Sequence, residues 1–439
     1  MSKYKAYPEY KDSVVEWLEK IPEHWGASKL RYMFSFGKGL TITKEDLLDD
    51  GLPCVNYGEV HSKYGFEVDP AIHPLKCVSE HYLKSSPSSL LSKGDLVFAD
   101  TSEDIEGSGN FTQSISDQTF FAGYHTIIAR PKDRKNSRFY AYLFDSQEFR
   151  TQIRYAVKGV KVFSITQAIL RGTHIWLPTL IEQEKIANFL DHETAKIDTL
   201  IEKQQLLIKL LKEKRQAVIS HAVTKGLNLN APMRDSGVEW LGEVPAHWEV
   251  KKLKFACSFI TKKVDIENKK TIALENIESW TGKYIATDSV YSGEDVEFKS
   301  GDILFGKLRP YLAKVYFAEE DGVAFGDLLV YRSKRNFLGK YCFYQMINEA
   351  FINTVDSSTY GSKMPRASAD FINEMEVLLP PFQEQEEIVN YIESVLTKFN
   401  EIETKAKSAI NLMQERRTAL ISAAVTGKID VRKWLAPAL

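Results

Sequence analysis

Apolar side chains recur at seven-residue intervals along two long stretches of the chain, 177–226 and 379–428. Such a repeat is typical of helices that pair along one face and supercoil. Each stretch predicts a helix of about 44 residues, and at 1.5 Å per residue this is about 65 Å, too long for one small domain. We therefore expect the two helices to pair with each other, antiparallel if the molecule has approximate two-fold symmetry. The predicted seam consists of Leu190, Ile197, Ile201, Ile208, Leu211, Val218, Ile392, Leu396, Phe399, Ile410, Met413 and Leu420.

Both stretches carry helix boundary signals. Pro178 and Pro380 precede them, at positions where the missing N–H costs nothing. Gly226 and Gly427 follow as stop signals. A second interpretation stays open, in which the helices face solvent and bind other chains. The two interpretations are compatible, because a heptad seam uses only one face of each helix.

The chain contains two copies of two sequence blocks. Residues 12–31 return at 235–254, with an offset of 223 and 11 of 20 positions identical. Residues 177–228 return without a gap at 379–430, with an offset of 202 and 19 of 52 positions identical. We call these blocks the frame. Because the offsets differ, the material between the blocks is 21 residues shorter in the second copy. The two dissimilar inserts held by the frame are residues 32–176 and 255–378.

The inserts are expected to be mixed α+β. Short apolar runs are separated by turn residues, as in strands. Gly94-Asp95 and Gly301-Asp302 each precede such a run, and this pair favours a turn into a buried strand over a functional site. Helices are expected near 139–155 and 341–355. The predicted strands are 96–98, 124–128, 303–305 and 328–331.

The repeats divide the chain into seven segments of an α+β protein with an internal duplication. The segments are 1–31 (first frame segment), 32–176 (first insert), 177–226 (central helix), 227–254 (repeated frame segment), 255–378 (second insert), 379–428 (second helix) and 429–439 (tail).

Composition indicates a globular protein of the cytoplasm. Hydrophobic residues make up 44% and charged residues 26% of the 439 residues, and no run of about 18 apolar residues could span a membrane. The polar N-terminus lacks the apolar core of a signal peptide. Four cysteines lie far apart without metal-binding spacing, which argues against disulfides or zinc and for a reducing compartment. They are Cys54, Cys77, Cys257 and Cys342.

Net charge argues mildly against a protein that coats nucleic acid without sequence preference. The 57 basic and 59 acidic residues leave a net charge of −2. DNA binding remains compatible with this value, because the field that matters is local.

Motifs that carry chemistry are missing, so we expect no catalytic residue and no metal site. The sequence has no P-loop, no dinucleotide-binding glycine pattern and no paired-cysteine motif. Residues 379–382 resemble the Pro-Pro-aromatic motif of DNA amino-methyltransferases, but Leu379 stands where those enzymes need a polar side chain. His24 and His247 precede tryptophans in both frame copies, and a packing and hydrogen-bonding role is favoured for them over catalysis.

The duplicated frame resembles the specificity (S) subunit of type I restriction-modification systems. The shared pattern is E-W-L-x-x-[IV]-P-x-H-W, a variable insert, and a proline followed by E-Q-E at the start of a long helix, all twice. The resemblance covers essentially the whole chain.

The resemblance implies a division of labour. Each insert would be a target recognition domain that reads one half of a split, asymmetric DNA target, and the antiparallel coiled coil would set the spacing. Two modification subunits would bring S-adenosylmethionine and methylate adenine. Restriction subunits would add ATP- and Mg-dependent translocation and cleavage. This chain would bind none of these cofactors and catalyse nothing.

Residues that contact DNA are expected in insert loops rich in Arg, Lys, Asn, Gln, Ser and Thr. In both copies a Gly and a Lys lie shortly before the second frame block, at 158–161 and 359–366; a solvated turn is the alternative there. The candidates are Asn56, Tyr57, Thr101, His125, Lys158, Lys161, Lys262, Lys263, Asn276, Lys307, Arg309, Tyr311, Lys314, Ser362, Lys363 and Arg366.

Two other functions remain open from sequence. One is a coiled-coil scaffold whose two domains bind proteins or small ligands. The other is an enzyme with an unrecognised nuclease or methyltransferase site.

Overall fold

A computed structural model describes residues 4–15, 17–159, 161–267 and 269–435. The outermost parts of the predicted first segment and tail, 1–3 and 436–439, lie outside these residues, as does residue 160 of the 158–161 loop. The predicted α+β class is confirmed, with strands and helices mixed in both copies. Among the described residues, no helix is both long and apolar enough to cross a membrane.

The helices and strands follow one another in similar order in the two copies. The helices are α1 Leu30–Met33, α2 Tyr82–Ser85, α3 Ser137–Asp145, α4 Gln147–Ala156, α5 Gln167–Gly172, α6 Leu180–Lys225, α7 Leu253–Ala256, α8 Gly339–Met346, α9 Glu349–Ser357, α10 Ala369–Glu374 and α11 Phe382–Val425. The strands up to α6 are β1 Tyr10–Val15, β2 Leu18–Pro22, β3 Gly26–Lys29, β4 Phe34–Lys38, β5 Leu52–Val55, β6 Phe66–Val68, β7 Lys76–Val78, β8 Leu90–Leu91, β9 Leu96–Ala99, β10 Thr101–Ser102, β11 Phe111–Ser114, β12 Phe120–Ala122, β13 Thr126–Pro131, β14 Phe163–Ser164 and β15 His174–Leu177. The strands after α6 are β16 Met233–Asp235, β17 Glu243–Pro245, β18 Glu249–Lys252, β19 Cys257–Ile260, β20 Lys263–Asp265, β21 Thr271–Ile272, β22 Glu294–Phe298, β23 Ile303–Gly306, β24 Val315–Phe317, β25 Gly322–Ala324, β26 Leu328–Ser333 and β27 Glu376–Leu379.

The chain forms two compact units, and each takes half of each long helix. The first unit contains residues 1–203 and 409–439, and the second contains 204–408. The segments predicted from sequence kept each long helix in a single segment. In the structure both helices are divided between the two units, and the C-terminal half of α11 shares a core with the first insert.

The first insert is built on two sheets. One has the strand order β4-β13-β9-β11-β6 and the other β7-β5-β12-β8. The helices α3 and α4 cover the first sheet through buried aromatic side chains, including Phe139, Tyr142 and Phe149. The single predicted helix at 139–155 is wrong in one respect, because Ser146 interrupts it with an extended backbone. Its hydroxyl accepts a hydrogen bond from the Phe149 N–H and so caps the second helix.

The second insert repeats this plan with fewer strands. Its sheets have the orders β19-β26-β23-β24 and β20-β22-β25-β21. The helix predicted near 341–355 is again two helices, α8 and α9. Asn348 separates them, and its side chain accepts a hydrogen bond from the Ala350 N–H.

The Gly-Asp turns are structural in both units, as the sequence favoured. Gly94 and Gly301 both have φ +89, in the left-handed region that suits glycine. Asp95 is fully buried and forms ion pairs with Arg130 and Arg134 at 3.4 and 2.7 Å. Each turn leads into the central strand of a sheet, β9 or β23.

Asp302 repeats this arrangement in the second unit. Its carboxylate accepts hydrogen bonds from Arg332 Nε and Nη2 at 2.8 and 2.7 Å, and it is almost fully buried. A buried carboxylate in a fixed fork with arginine locks the turn, because removing either partner would leave a desolvated charge.

The two frame blocks of each copy are joined by a short antiparallel ribbon. In the first unit β3 pairs with β15, and Lys29 lies opposite His174. In the second unit β18 pairs with β27, and Lys252 lies opposite Glu376. The ends of each insert therefore meet at one place on the frame.

Tryptophans of the first block fill the space behind this ribbon. Trp25 and Trp248 are almost completely buried. The glycines that end the long helices lie against them: a Cβ built on Gly427 would lie 3.2 Å from Trp25, and one on Gly226 would lie 3.1 Å from Trp248. Both glycines also have positive φ, so these positions favour glycine for two reasons.

A histidine–glutamate pair links the two frame blocks in each unit. His24 Nε2 lies 2.8 Å from Glu182 Oε1 and 3.0 Å from Oε2. His247 Nε2 lies 2.8 Å from Glu384 Oε2, and Trp248 Nε1 donates to Glu384 Oε1 at 3.1 Å. Both histidines therefore have the hydrogen-bonding role that the sequence favoured. The glutamates are the first acid of each E-Q-E motif.

The long helices run antiparallel within each unit. In the first, Arg417 pairs with Asp198 at 3.0 Å, and in the second, Arg215 Nη2 donates to Asn400 at 2.5 Å. All twelve predicted seam residues are at least half-buried; Leu190, Ile197, Ile392 and Leu420 are buried. The observed helices contain 46 and 44 residues, close to the predicted length.

The histidine–glutamate pair gives a stability prediction. Burial would raise the pKa of Glu182, but the hydrogen bonds from His24 and Thr179 outweigh it, and the pKa is lowered. We expect Glu182→Gln to destabilise the protein at neutral pH by about 1–2 kcal/mol in chemical denaturation, because a charge-assisted bond is replaced by a neutral one.

The pH dependence gives the sign of this effect. Because the pKa of Glu182 is lower in the folded protein than its ordinary value near 4.5, the ionised carboxylate stabilises the fold at pH values above 4.5. This stabilisation is lost as the pH falls through the lowered pKa. The difference between wild type and variant should therefore shrink in acid. Glu184→Gln, on the exposed side of the same helical turn, is the matched control. Equal stability of the two variants at neutral pH would contradict the role of the pair.

Candidate nucleic-acid interface

Two loops that the sequence singled out separately meet in the second unit. Residues 307–314 follow β23, and residues 359–367 precede α10. The Arg309 N–H donates to Pro365 O at 2.7 Å, and the Ala367 N–H donates to Lys307 O at 2.9 Å. A β-bridge between Leu308 and Arg366 completes the contact. We call these loops the second-unit loop pair.

The first unit has a counterpart in the same place. Residues 100–110 follow β9, and residues 158–166 precede α5. The short strands β10 and β14 pair, with Thr101 opposite Ser164. The Ile165 N–H donates to Asp100 O at 2.7 Å, which matches the bond at Lys307. We call these loops the first-unit loop pair. Both Gly-Lys loops that the sequence predicted thus lie beside the end of a central strand.

Exposed cations without an acidic partner lie on both loop pairs. They are Lys158, Lys161, Arg309 and Lys363. Within the described ranges, none of them has a carboxylate oxygen within 4.0 Å. A cation held on a fixed loop without an internal partner is suited to a phosphate or a base edge.

A pair of one acidic and one basic side chain at the end of the central strands is arranged in opposite order in the two units. Ala99 pairs with Thr126 and Gly306 with Leu328, which makes the flanking residues structural equivalents. In the first unit Asp100 Oδ1 lies 3.1 Å from His125 Nδ1. In the second, Lys307 Nζ lies 3.6 Å from Asp327 Oδ1. The acid and the base have exchanged strands.

Asp327 also holds the second-unit loop pair together. Its two carboxylate oxygens accept hydrogen bonds from Arg366 Nε and Nη2 at 3.1 and 3.0 Å. Arg366 is therefore engaged inside the loop pair. Asp327 and Asp100 were not among the predicted DNA-contacting residues, because the prediction was restricted to Arg, Lys and uncharged polar side chains.

Left-handed backbone at residues other than glycine occurs on these edges. His125 has φ +52, Arg309 φ +50 and Ala313 φ +46. Such conformations cost about 1–3 kcal/mol each and persist where the surrounding structure holds them, often at functional sites. They turn the side chains of His125 and Arg309 outward, and both residues are exposed.

Three candidates are corrected by the structure, because their polar groups are used internally. Asn56 and Asn276 are 1% and 2% exposed. The Asn56 amide donates to Cys54 O, and Asn276 accepts from the Ala273 N–H and donates to Ile285 O. Lys314 Nζ donates to Leu274 O at 2.6 Å, and burial lowers its pKa. These residues brace loops and do not present their polar groups to a ligand.

The remaining candidates differ in how they are presented. Tyr311, Ser362 and Lys263 are exposed, whereas Thr101 is half-buried in β10. Lys262 follows β19 at the same end of the sheet as Lys307, and it pairs with Glu297 at 2.9 Å.

Tyr57 lies beside the turn that carries His125. Its N–H donates to Tyr124 O at 3.3 Å. Burial raises the pKa of its hydroxyl, and Glu103, Asp104 and Asp100 raise it further. The first-unit loop pair therefore has a more acidic surface than its counterpart. Exposed Tyr360 lies in the predicted 359–366 loop and forms a β-bridge with Arg366, although it was not among the named candidate residues.

No group of three or more His, Cys, Asp or Glu side chains in the described part of the chain could hold a metal ion. The arrangement consists of two equivalent edges, each with exposed cations and one pair of an acidic and a basic side chain, on separate units.

Comparison with known proteins gives these edges a context. A family model for the type I restriction modification DNA specificity domain matches residues 22–210 and again 245–412. The chain belongs to this family. Each match covers one insert with part of the frame block on either side, so the duplication seen in the sequence corresponds to two specificity domains.

Curated relatives agree along most of the chain. The EcoKI specificity subunit of Escherichia coli K12 is 25% identical over 450 aligned residues, covering 95% of this chain and 91% of that protein. The EcoDI specificity subunit of Escherichia coli is 24% identical over 355, covering 76% and 78%. The StySPI specificity subunit of Salmonella potsdam is 22% identical, covering 95% and 91%.

Solved structures share the fold. A chain from a study of complex assembly and conformational transition in a type I R-M system aligns with a TM-score of 0.68 at 14% identity, covering 93% of this chain and 99% of that one. The HsdS subunit from Thermoanaerobacter tengcongensis aligns with a TM-score of 0.51 at 14% identity, covering 93% and 98%.

Arg309 provides a test of the second-unit edge. We expect Arg309→Ala to weaken binding of a mixed-sequence DNA duplex severalfold and to reduce the slope of log K against log salt by about one, because one phosphate contact is lost. Arg335→Ala is the control, since Arg335 is an exposed arginine beyond the opposite end of β26. Fluorescence anisotropy over a salt series measures both. Equal behaviour of the two variants would remove Arg309 from the interface.

Proposed function

We propose that this specificity-family chain reads a split, asymmetric DNA sequence, with each insert reading one half, and directs modification and restriction subunits to it. The acid and base that have exchanged strands, Asp100 with His125 and Asp327 with Lys307, carry the proposal. A carboxylate accepts from the amino groups of cytosine or adenine, whereas lysine and arginine donate to guanine O6 and N7. Equivalent edges with exchanged acid and base are therefore suited to different bases.

The repeated frame supports a symmetric set of partners. His24–Glu182 and His247–Glu384 join the same two frame blocks in the two units, each with Nε2 at 2.8 Å from a carboxylate oxygen, while the loop pairs differ. A partner subunit that binds the frame would therefore meet equivalent residues in both units. We propose that two modification subunits bind there and supply S-adenosylmethionine and adenine methylation, and that restriction subunits supply ATP- and Mg-dependent steps.

Two readers on one chain increase specificity, because discrimination energies add for separated base pairs. The chain then needs no active site of its own. The frame histidines support a non-catalytic role, because both are held by structural glutamates rather than facing a nucleophile.

The proposal is tested by reconstitution with the methyltransferase encoded beside this chain and by sequencing of methylated bases. We expect an adenine motif of two unequal halves separated by unspecified bases. Methylation by this chain alone would favour an enzyme instead. Failure to bind DNA with any partner would favour a scaffold.

Single substitutions at the exchanged pair extend this test. We expect Asp100→Asn to relax or change one half of the methylated motif, and Lys307→Gln the other half, each by about 1–3 kcal/mol of discrimination at one base pair. Asp117→Asn is the control, because Asp117 is exposed and pairs with Lys93 near the Gly94 turn, away from the loop pair. Motif sequencing on a common DNA library reads all three. A substitution that altered both halves, or a control that altered either, would contradict the assignment of edges.

A further inference from the structure

An arginine occupies equivalent positions in the two long helices, buried in the second unit and partly exposed in the first. Arg215 in α6 and Arg417 in α11 are separated by 202 residues, the offset of the second frame block. Each lies in a different unit, packed between a helix segment and an insert. Comparing Arg215 with Arg417 therefore shows how the same guanidinium group is bound in the two units.

Arg417 has two carboxylate partners. Its Nε donates to Asp198 Oδ1 and Oδ2 at 3.0 and 3.3 Å, and its Nη1 donates to Asp145 Oδ2 at 3.4 Å. Its guanidinium also lies 5.6 Å from the centre of the Phe66 ring. The partly buried charge of Arg417 is thus compensated by two carboxylates.

Arg215 lacks both carboxylates. Asn400 stands at the position of Asp198, and Ile347 at the position of Asp145. Arg215 is only 7% exposed, and its Nη2 donates to Asn400 Oδ1 at 2.5 Å. Lys283 Nζ donates to the same oxygen at 3.2 Å. In the part of the chain that the structure describes, no carboxylate oxygen lies within 4.0 Å of this guanidinium.

The neighbouring acids do not replace the missing partners. Glu403 is paired with Lys407 at 2.7 Å, and Glu278 accepts a hydrogen bond from Thr281. Burial lowers the pKa of Arg215, and the charges of Glu403 and Glu278 only partly oppose this. Among the described residues, the five N–H groups of this guanidinium therefore have no carboxylate acceptor, and one of them donates to the neutral Asn400 amide.

A cavity of about 680 Å³ opens beside Arg215 within the second unit. Its walls come from both helix segments and from the turn at 278–283, where Trp280 has φ +65. A built space thus coincides with a buried cation that has no carboxylate partner in the part of the chain that the structure describes.

We propose that this cavity binds a carboxylate, which takes the place beside Arg215 that Asp198 takes beside Arg417. The planar fork of arginine matches the two oxygens of a carboxylate. Glu278 and Glu403 in the same cavity disfavour a phosphate dianion, because the repulsion rises with the ligand's charge. The carboxylate is either a free small acid or an Asp or Glu side chain of a partner subunit. The site is independent of DNA reading; a free acid as ligand does not rest on the proposed function, whereas a partner side chain rests on the proposed binding of a modification subunit.

Asn400→Asp tests the site without removing a buried group. It places in the second unit the carboxylate that the first unit already has, so it should raise the melting temperature and fill the site from within. Asn390→Asp makes the same chemical change at an exposed position of the same helix and is the matched control.

The first arm measures the melting temperature of the full chain in sodium acetate against sodium chloride at equal ionic strength. If the ligand is a free acid, acetate should raise the melting temperature of wild type and of Asn390→Asp by about 2–4 °C, and that of Asn400→Asp by much less. The second arm measures affinity for the neighbouring methyltransferase subunit. If the ligand is a partner side chain, Asn400→Asp should weaken assembly about tenfold or more, and Asn390→Asp should not.

A loss specific to Asn400→Asp in either arm supports the site and identifies the source of the carboxylate. If Asn400→Asp matches Asn390→Asp in both arms, the proposal is overturned. DNA binding and methylation by the assembled complex are recorded in parallel. Their absence would contradict the proposed function without changing either readout of the carboxylate site.

Discussion

The two ends of each insert meet across one short antiparallel ribbon, and the remaining architecture depends on this closure. β3 with β15 and β18 with β27 bring the start and end of an insert side by side. Once the ends are fixed, the length between them matters little. The inserts differ by 21 residues, and closing the longer chain costs only about 0.1 kcal/mol more by the logarithmic dependence of loop entropy. The inserts can therefore diverge in sequence and length while the frame stays constant.

The histidine–glutamate pair and the buried tryptophans attach this ribbon to the long helices. Glu182 and Glu384 lie in the first turns of α6 and α11. Each therefore links the start of a long helix to the histidine of the preceding block. The helix ends are held as well, because Gly427 and Gly226 fit against tryptophans of the first block. In each unit the frame thus joins the beginning of one long helix to the end of the other. This explains why the units contain half of each helix.

Sequence periodicity predicted the parts of the fold that obey local rules. The heptad seam and the Gly-Asp turns follow from spacing and backbone preference, and both were found where expected. The break at Ser146 was missed because a capping serine in an aromatic-rich stretch gives a weak signal. The division of each helix between two units could not be read from sequence, since it depends on contacts between residues more than 200 positions apart.

The candidate interface was partly predictable. The Gly-Lys loops and Arg309 were predicted from residue type, because lysine and arginine on loops commonly contact DNA phosphates. Asn56, Asn276 and Lys314 have the same residue types but face inward, and residue type does not report burial. The acids Asp100 and Asp327 were missed, although they give the two edges their opposite order of acidic and basic side chains. Only the strand register made their equivalence visible.

The central claim is that one constant frame presents two independent readers. Replacement of residues 30–173, the segment between β3 and β15, by the corresponding segment of another specificity subunit tests it most directly. Methylated bases are then sequenced for the reconstituted complex. The account predicts that one half of the motif changes to that of the donor, while the other half and the efficiency of assembly stay the same. A change in both halves, or loss of assembly with a folded chimera, would contradict it.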